Sequence, residues 1–371
     1  MIPNSIGVRN VNHAYYLLAG MLQNKDNWIE VSPRGMKTLE WRGPFITEYY
    51  KPNEYVLFDP VRDANPFFHF MESIWILAGN ADVKTLAKYN SQMVQFSDDG
   101  KVFHAPYGYR LRRHFETEFE DRSDGMLRSR YEPVDQILGV VNLLLEEPDT
   151  RRAVMVLWDP ASDLSVAGWD RSNMDANVKD IPCNDVIFFK LREGHLNMTV
   201  CCRSNDALLG AYGANAVQFG VLLEFMAGAI GAKIGTYSQI SDSFHVYTDS
   251  PQYKRMLSHV PGASYGDGIP YKSNESSFFE GDATDTQRAK MWLEEAETFM
   301  RGERHPLSYR FEFFRTVAIP IANAWDTYKE SDKLASKNAR IGMAQALLKN
   351  CAAPDWAAAC HAWLARREEN L

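Results

Sequence analysis

Between Ala216 and Gly231 the chain is apolar nearly all round, with Gln218 and Glu224 its polar interruptions. As a helix, such a segment has no solvent face to offer and must be enclosed by the rest of the fold. It falls well short of the ~20 apolar residues that span a bilayer, so it reads as a core helix and no membrane association is expected. A helix of this kind needs a large surrounding core. The chain has the material, with 371 residues of which 45% are hydrophobic and 12% aromatic, and this excludes intrinsic disorder for most of it.

Forty Lys and Arg stand against 48 Asp and Glu, a formal charge of −8. That balance argues against a broad nucleic-acid-binding surface and leaves room for a local phosphate pocket. The five cysteines, Cys183, Cys201, Cys202, Cys351 and Cys360, form no CxxC pair and no His/Cys ligand array. No metal centre is expected, and an odd number cannot close fully into intramolecular disulfides, so a reducing, cytoplasmic setting is. The first residues lack the basic start and unbroken apolar run of a secretory signal.

Periodicity predicts helices over 11–24, 67–86 with a break near Gly79, and 134–145, the last stopped at Pro148. A turn falls at Ser32 to Gly35, with a short β region after it. Residues 152–158 read as a strand, and 186–191 with 195–201 as two strands joined by the turn Arg192, Glu193, Gly194. A strand over 233–240 follows the core helix. These elements interleave without a linker. Beyond about residue 255 the chain changes character, with a polar region at 262–285 and then helices over 286–302, 318–331, 336–349 and 354–368. Two parts are therefore expected, residues 1–255 and a mainly helical extension over 256–371. No repeat of 20–50 residues is visible, which argues against a solenoid.

Several residues could carry chemistry. Cys183 sits in Ile-Pro-Cys-Asn just before an apolar strand, where a thiol can be presented; it is also readable as a small buried hydrophobe. Activation needs a nearby cation, and Arg203 comes alongside if the hairpin folds back. The segment 202–215, CRSNDALLGAYGAN, is polar-heavy between a strand and the core helix. Arg203 and Ser204 could hold a phosphate, and an Asn amide can meet a pyrimidine edge; helix capping by Ser204, Asn205 or Asp206 explains part of the pattern. Glu72 interrupts an apolar helix, so it either points outward or is kept for function. Arg151 and Arg152 mark a solvated strand start or an anion site. His245 and Tyr247 could face one ligand or be half-buried.

Taken in order, Arg34, Glu72 in MESIWILAG, Tyr107 in APYGYR, the pair in PDTRR, Trp158, Cys183 in PCN, RSND, Asn215 and SDSFHVY resemble the thymidylate synthase family, which includes pyrimidine nucleotide hydroxymethylases. The match spans roughly residues 10 to 250. It implies an α/β (α+β) fold with a large, mainly antiparallel or mixed sheet, helices on one face and a second subunit on the other. It implies a homodimer acting on a pyrimidine nucleoside monophosphate, with 5,10-methylenetetrahydrofolate as co-substrate and no metal. By the resemblance, Cys183 attacks C6 of the base. Arg34, Arg203 and Ser204 bind the phosphate, together with Arg151 and Arg152 given across the dimer. Glu72 orders water and assists proton transfer, Tyr107 helps remove the C5 proton, and Asn215 reads the base. His245 and Tyr247 hold the sugar hydroxyl, and Asp206 is a folate-facing acid with a part in catalysis.

The chain departs from the family pattern at Asn184, where His is usual, at Cys202, where Gln is usual, and by one extra residue between Gly210 and Asn215. Met93 aligns with an active-site Trp of synthases and Phe96 with a second aromatic; the chain ends in ARREENL, without their small apolar terminus. A looser lid would let water, in place of hydride, reach the methylene intermediate, so the expected product is the 5-hydroxymethyl nucleotide, ahead of dTMP with dihydrofolate. His104 or Asn184 could help orient that water. Asn215 favours dUMP, while Asp185 keeps dCMP in play as an acceptor for an exocyclic amine. A non-catalytic nucleotide-binding module is the further alternative, opposed by the presence of both Cys183 and Glu72.

Overall fold

The computed structural model describes residues 4–121, 128–164, 178–258, 271, 278–279, 285–329 and 336–368. Most of the polar region 262–285 and the last three residues lie outside these.

Among the described residues ten strands form: β1 (Ser5–Val8), β2 (Trp28–Val31), β3 (Thr38–Trp41), β4 (Phe45–Tyr49), β5 (Glu116–Asp121), β6 (Arg128–Pro133), β7 (Val154–Val156), β8 (Asn184–Arg192), β9 (His195–Asp206) and β10 (Lys233–Tyr247). The main sheet runs β1-β4-β10-β9-β8-β7, with the β2–β3 hairpin joined to β10 through β3, while β5 and β6 pair separately. It is mixed, because β1 runs parallel to β4 and β9 to β10 while the other neighbours are antiparallel. The β8–β9 turn is where the sequence places it: Glu193 and Gly194 take φ of 51° and 73°, the pair of positive values that a tight hairpin turn uses.

Helices follow in the order α1 (Val11–Gln23), α2 (Pro66–Leu77), α3 (Val83–Tyr89), α4 (Tyr107–Tyr109), α5 (Gln136–Glu146), α6 (Pro160–Leu164), α7 (Asn215–Ala229), α8 (Pro251–Ser258), α9 (Thr286–Met300), α10 (Ile319–Lys329), α11 (Lys337–Leu348) and α12 (Pro354–Ala365). Their starts are written in side chains: Asn65, Asp82, Asp135, Asp285 and Ser336 each accept a backbone N–H of the first turn. Gly79, at φ 67°, separates α2 from α3.

One face of the sheet presents Met155, Ile187, Phe189, Met198, Val200 and Tyr237 to the helices, all buried. The expected core helix is α7, which makes the crossover between the parallel strands β9 and β10 and is buried along nearly its whole length. The opposite face is left uncovered by the described elements. There Val156, Val186, Cys201, Ile240 and Ile46 lie in register across five strands, with Val156 and Ile46 at 38% and 37% exposure.

All four helices expected after residue 285 form; α9, α10 and α12 pack on α2, and α11 packs on α10 and α12. Phe67 meets Trp325 and Trp363, Phe70 meets Phe313 and Trp356, and Phe225 meets Trp292. Beyond α12, Arg366 and Arg367 both bind the carboxylate of Asp63 at 3.0 Å. The adjacent Arg62 donates to the Leu208 carbonyl at 3.0 Å, so the extension is tied to a loop that touches the site.

The junction of α2 and α4 is the tightest place near the site. A β-carbon at Gly108 would lie 2.2 Å from the Ile76 carbonyl oxygen, whereas Gly139, exposed on α5, has open space. Gly108→Ala should therefore cost about 1–3 kcal/mol in a denaturant melt. Gly139→Ala should raise stability by about 0.5–1 kcal/mol.

Candidate active site

The C-terminal half of β9 and the end of β10 bring together residues far apart in the chain. Cys183 is half-buried at the entry to β8, its Sγ 3.9 Å from the Ile181 carbonyl. Arg203 donates to the carbonyls of Pro182 at 2.7 Å and Ile181 at 3.3 Å and lies over the Trp158 ring, so the cation expected near the thiol also braces its loop. Burial pushes the Cys183 thiol up, and Arg203 and Arg34 pull it back. Arg34 sits in the Pro33–Gly35 turn with φ 53°, a left-handed conformation that is uncommon outside glycine. Its charge reaches both Cys183 and Tyr247.

His245 is buried and meets the Tyr247 ring edge-on at 5.1 Å. Its charge and that of Arg62 act on Asp206, whose carboxyl is raised by burial. Asp206 caps the turn after β9 by accepting from Leu208 and Leu209 N–H at 2.8 and 3.2 Å. It is absent from the lining of the cavity described next, so in the free chain its position is that of a cap near His245. Ser204 pairs with Ser243 across the parallel strands.

A cavity of about 340 Å³ opens beside the thiol loop, with Glu72, Trp75, Met93, Tyr107, Asn215 and Gln218 among its walls, and Phe96, Phe103, Asp180 and Gly210 as well. Glu72 faces inward. Burial raises its carboxyl to about 7 against a hydrogen bond from Gln218, and Glu72 Oε2 and Gln218 Oε1 have no hydrogen-bond partner among the described residues. Tyr107 is held well above the usual phenol range by burial and accepts a hydrogen bond from Asn184 Nδ2 at 2.8 Å. Asp180 accepts the Ala105 N–H at 2.9 Å, and burial raises its carboxyl too. The segment bearing Tyr107 is anchored by a fully buried ion pair, Arg110 with Asp163 at 2.7 Å, which His104 joins at 3.2 Å.

The sequence departures meet in space. Asn184 and Cys202 are register partners, and Cys202 donates its S–H to Asn184 Oδ1 at 2.8 Å. The chain reaches Asn215 through a π-helical stretch, Ala207–Ala214, with irregular backbone at Tyr212 and Gly213. Arg151 and Arg152 are exposed at the β7 edge of the sheet, where Arg152 binds Glu147, and neither lines the cavity. The sequence offers Asn205 only as a possible helix cap, a place that Asp206 takes, marks Gln218 only as a polar break in the core helix, and does not single out Asp180.

The thymidylate synthase family profile matches residues 65–284, and this chain belongs to that family. A deoxyuridylate hydroxymethyltransferase of Pseudomonas phage M6 is 36% identical over 368 residues, covering 98% of this chain and 94% of that protein. One of the same name from Bacillus phage SP01 is 44% identical over 219 residues, 59% of this chain and 53% of its own. The thymidylate synthase of T4 phage, a solved structure, aligns with 66% of this chain and 82% of its own at 19% identity and a TM-score of 0.48.

Glu72 gives the site a pH signature. Because the folded carboxyl holds its proton up to about pH 7 while an unfolded Glu loses it near 4.5, stability falls as pH rises through that window, by up to about 3 kcal/mol. Urea melts at pH 5 and pH 8 should therefore differ more in the wild type than in Glu72→Gln.

Proposed function

We propose that this chain transfers the one-carbon unit of 5,10-methylenetetrahydrofolate to C5 of dUMP and releases the 5-hydroxymethyl nucleotide. The observation that carries the reading is the pair of buried oxygens on Glu72 and Gln218, without a partner among the described residues, on a cavity where Met93 and Phe96 form part of the wall. Two acceptors of this kind suit an ordered water. The name of the phage M6 relative supports the same substrate and product.

The lining fits a flat co-substrate: Trp75, Ile76 and Phe103 offer apolar walls, and Asp180 a buried carboxyl for ring N–H groups. Bound there, the folate supplies the one-carbon unit. Cys183, as the thiolate, forms a bond to C6 of the base, and the displaced electron pair makes C5 nucleophilic. Arg34, Arg203 and Ser204 hold the phosphate, His245 and Tyr247 the sugar, and Asn215 the base edge. C5 then bonds to the one-carbon unit, and Tyr107 helps carry the proton away from C5 as the bond between that carbon and the folate nitrogen breaks, so tetrahydrofolate leaves and an exocyclic methylene stays on the nucleotide. Water oxygen then bonds to that methylene and gives a proton to Glu72. The resulting enolate restores the C5=C6 double bond and expels the Cys183 thiolate. A carboxyl raised to about 7 can both hold and take protons near neutral pH.

The exposed apolar row of the sheet supports a homodimer, in which Arg151 and Arg152 of one subunit complete the phosphate site of the other. Residues 1–255 carry the chemistry in this reading, and residues 256–371 brace it. The free thiols of Cys183, Cys201, Cys202 and Cys360 support a reducing, cytoplasmic setting.

In ¹⁸O-water, mass spectrometry should find label in a new hydroxymethyl group, with no absorbance rise from dihydrofolate. A 5-methyl product with stoichiometric dihydrofolate would make the enzyme a synthase. Cys183→Ser should abolish turnover while leaving dUMP affinity within about threefold, since the arginines and base contacts remain. Light scattering should give twice the chain mass, and a monomer would remove the shared arginine site.

A further inference from the structure

Given Asn215 as the residue that meets the base, we infer that Asn205 is a positioning residue that selects uracil over cytosine by holding the Asn215 amide in one of its two orientations. A carboxamide has an accepting oxygen on one side and a donating NH₂ on the other. Uracil offers a donor at N3 and an acceptor at O4, and cytosine the reverse, an acceptor at N3 and a donor at N4. Rotating the amide by half a turn converts a uracil reader into a cytosine reader. The preference for dUMP expected of Asn215 therefore holds for only one rotation of its amide, and whatever fixes that rotation carries it.

That lock is visible. Asn215 Nδ2 donates to Asn205 Oδ1 at 3.1 Å, with the two residues 7% and 2% exposed. The second Nδ2 hydrogen is left for O4 and the Asn215 oxygen for N3–H. Turning Asn215 over would set two accepting oxygens face to face in a buried place, which is costly. Asn205 is itself held, because its Nδ2 donates to Ser241 Oγ at 3.0 Å and points to Cys202 Sγ at 3.6 Å. Cys202 in turn donates to Asn184, and Asn184 to the Tyr107 hydroxyl. The donors thus run in one direction, from Asn205 through Ser241 on one side and through Cys202 and Asn184 to the cavity wall on the other. The amide pair also needs Gly210, where a β-carbon would lie 2.8 Å from Asn205 Oδ1.

The test compares wild type, Asn205→Ala, Asn205→Asp and Ser241→Ala in calorimetric binding of dUMP and dCMP, in kcat/KM for both nucleotides, and in thermal melts. Asn205→Ala frees the amide, so the preference for dUMP should fall about tenfold, with dCMP binding gaining. Asn205→Asp presents only acceptors and should keep the preference within about threefold, although a buried carboxylate should make it the less stable of the two. A merely structural role would make specificity follow stability, and the expected order is the opposite. Ser241→Ala should lose part of the preference, and it decides the matter if Asn205→Asp does not fold. The inference is overturned if folded Asn205→Ala and Ser241→Ala discriminate like wild type, if folded Asn205→Asp loses as much as Asn205→Ala, or if wild type binds both nucleotides equally. Absence of a hydroxymethyl product would count against the proposed reaction alone, because the binding preference is read without turnover.

Discussion

Every residue of α2, from Pro66 to Leu77, is buried, and the geometry of the site depends on that enclosure. A helix with no solvent face must be packed by neighbours on all sides, and here α3, α4, α7, α9, α10 and α12 supply them. The consequence for chemistry is direct. Glu72 cannot turn outward, so its carboxyl is stripped of water and takes a proton affinity near neutrality. The same enclosure sets Tyr107 beside it, because α4 approaches the Ile76 backbone at Gly108 more closely than any side chain would allow.

Much of the fold was legible in the sequence. Periodicity located α1, α2, α5 and α7 and the four helices after residue 285, since each buries a stripe or its whole surface and carries stop signals at its ends. Strand lengths were less legible. β9 and β10 run on through Asp206 and Tyr247, where hydroxyls, amides and charged groups replace the apolar alternation that marks a strand. Backbone pairing, which composition does not report, carries those ends, and they are the ends that line the site.

The site shows the same division. Cys183, Glu72, Tyr107 and Arg203 stand in local contexts that announce them: a thiol at a strand entry, a carboxylate in an apolar helix, an arginine at the end of a hairpin. The amide and thiol chain through Asn184, Cys202, Asn205 and Asn215 has no such local mark, because its members come from two strands and a helix start. Departures from the family pattern at 184 and 202 look like two independent changes along the chain and are one contact in space. The π-helical stretch that leads into Asn215 has no mark in the local sequence, because it depends on the packing around it.

The order in which the chain is made has a consequence for how this site comes into being. Phe67 waits for Trp325 and Trp363, and Phe70 for Phe313 and Trp356, all of them synthesised long after α2. Until those late helices leave the ribosome, an unusually aromatic surface stays open on the element that carries Glu72. The wall around the element that carries Glu72 is therefore finished by the last third of the chain to be made.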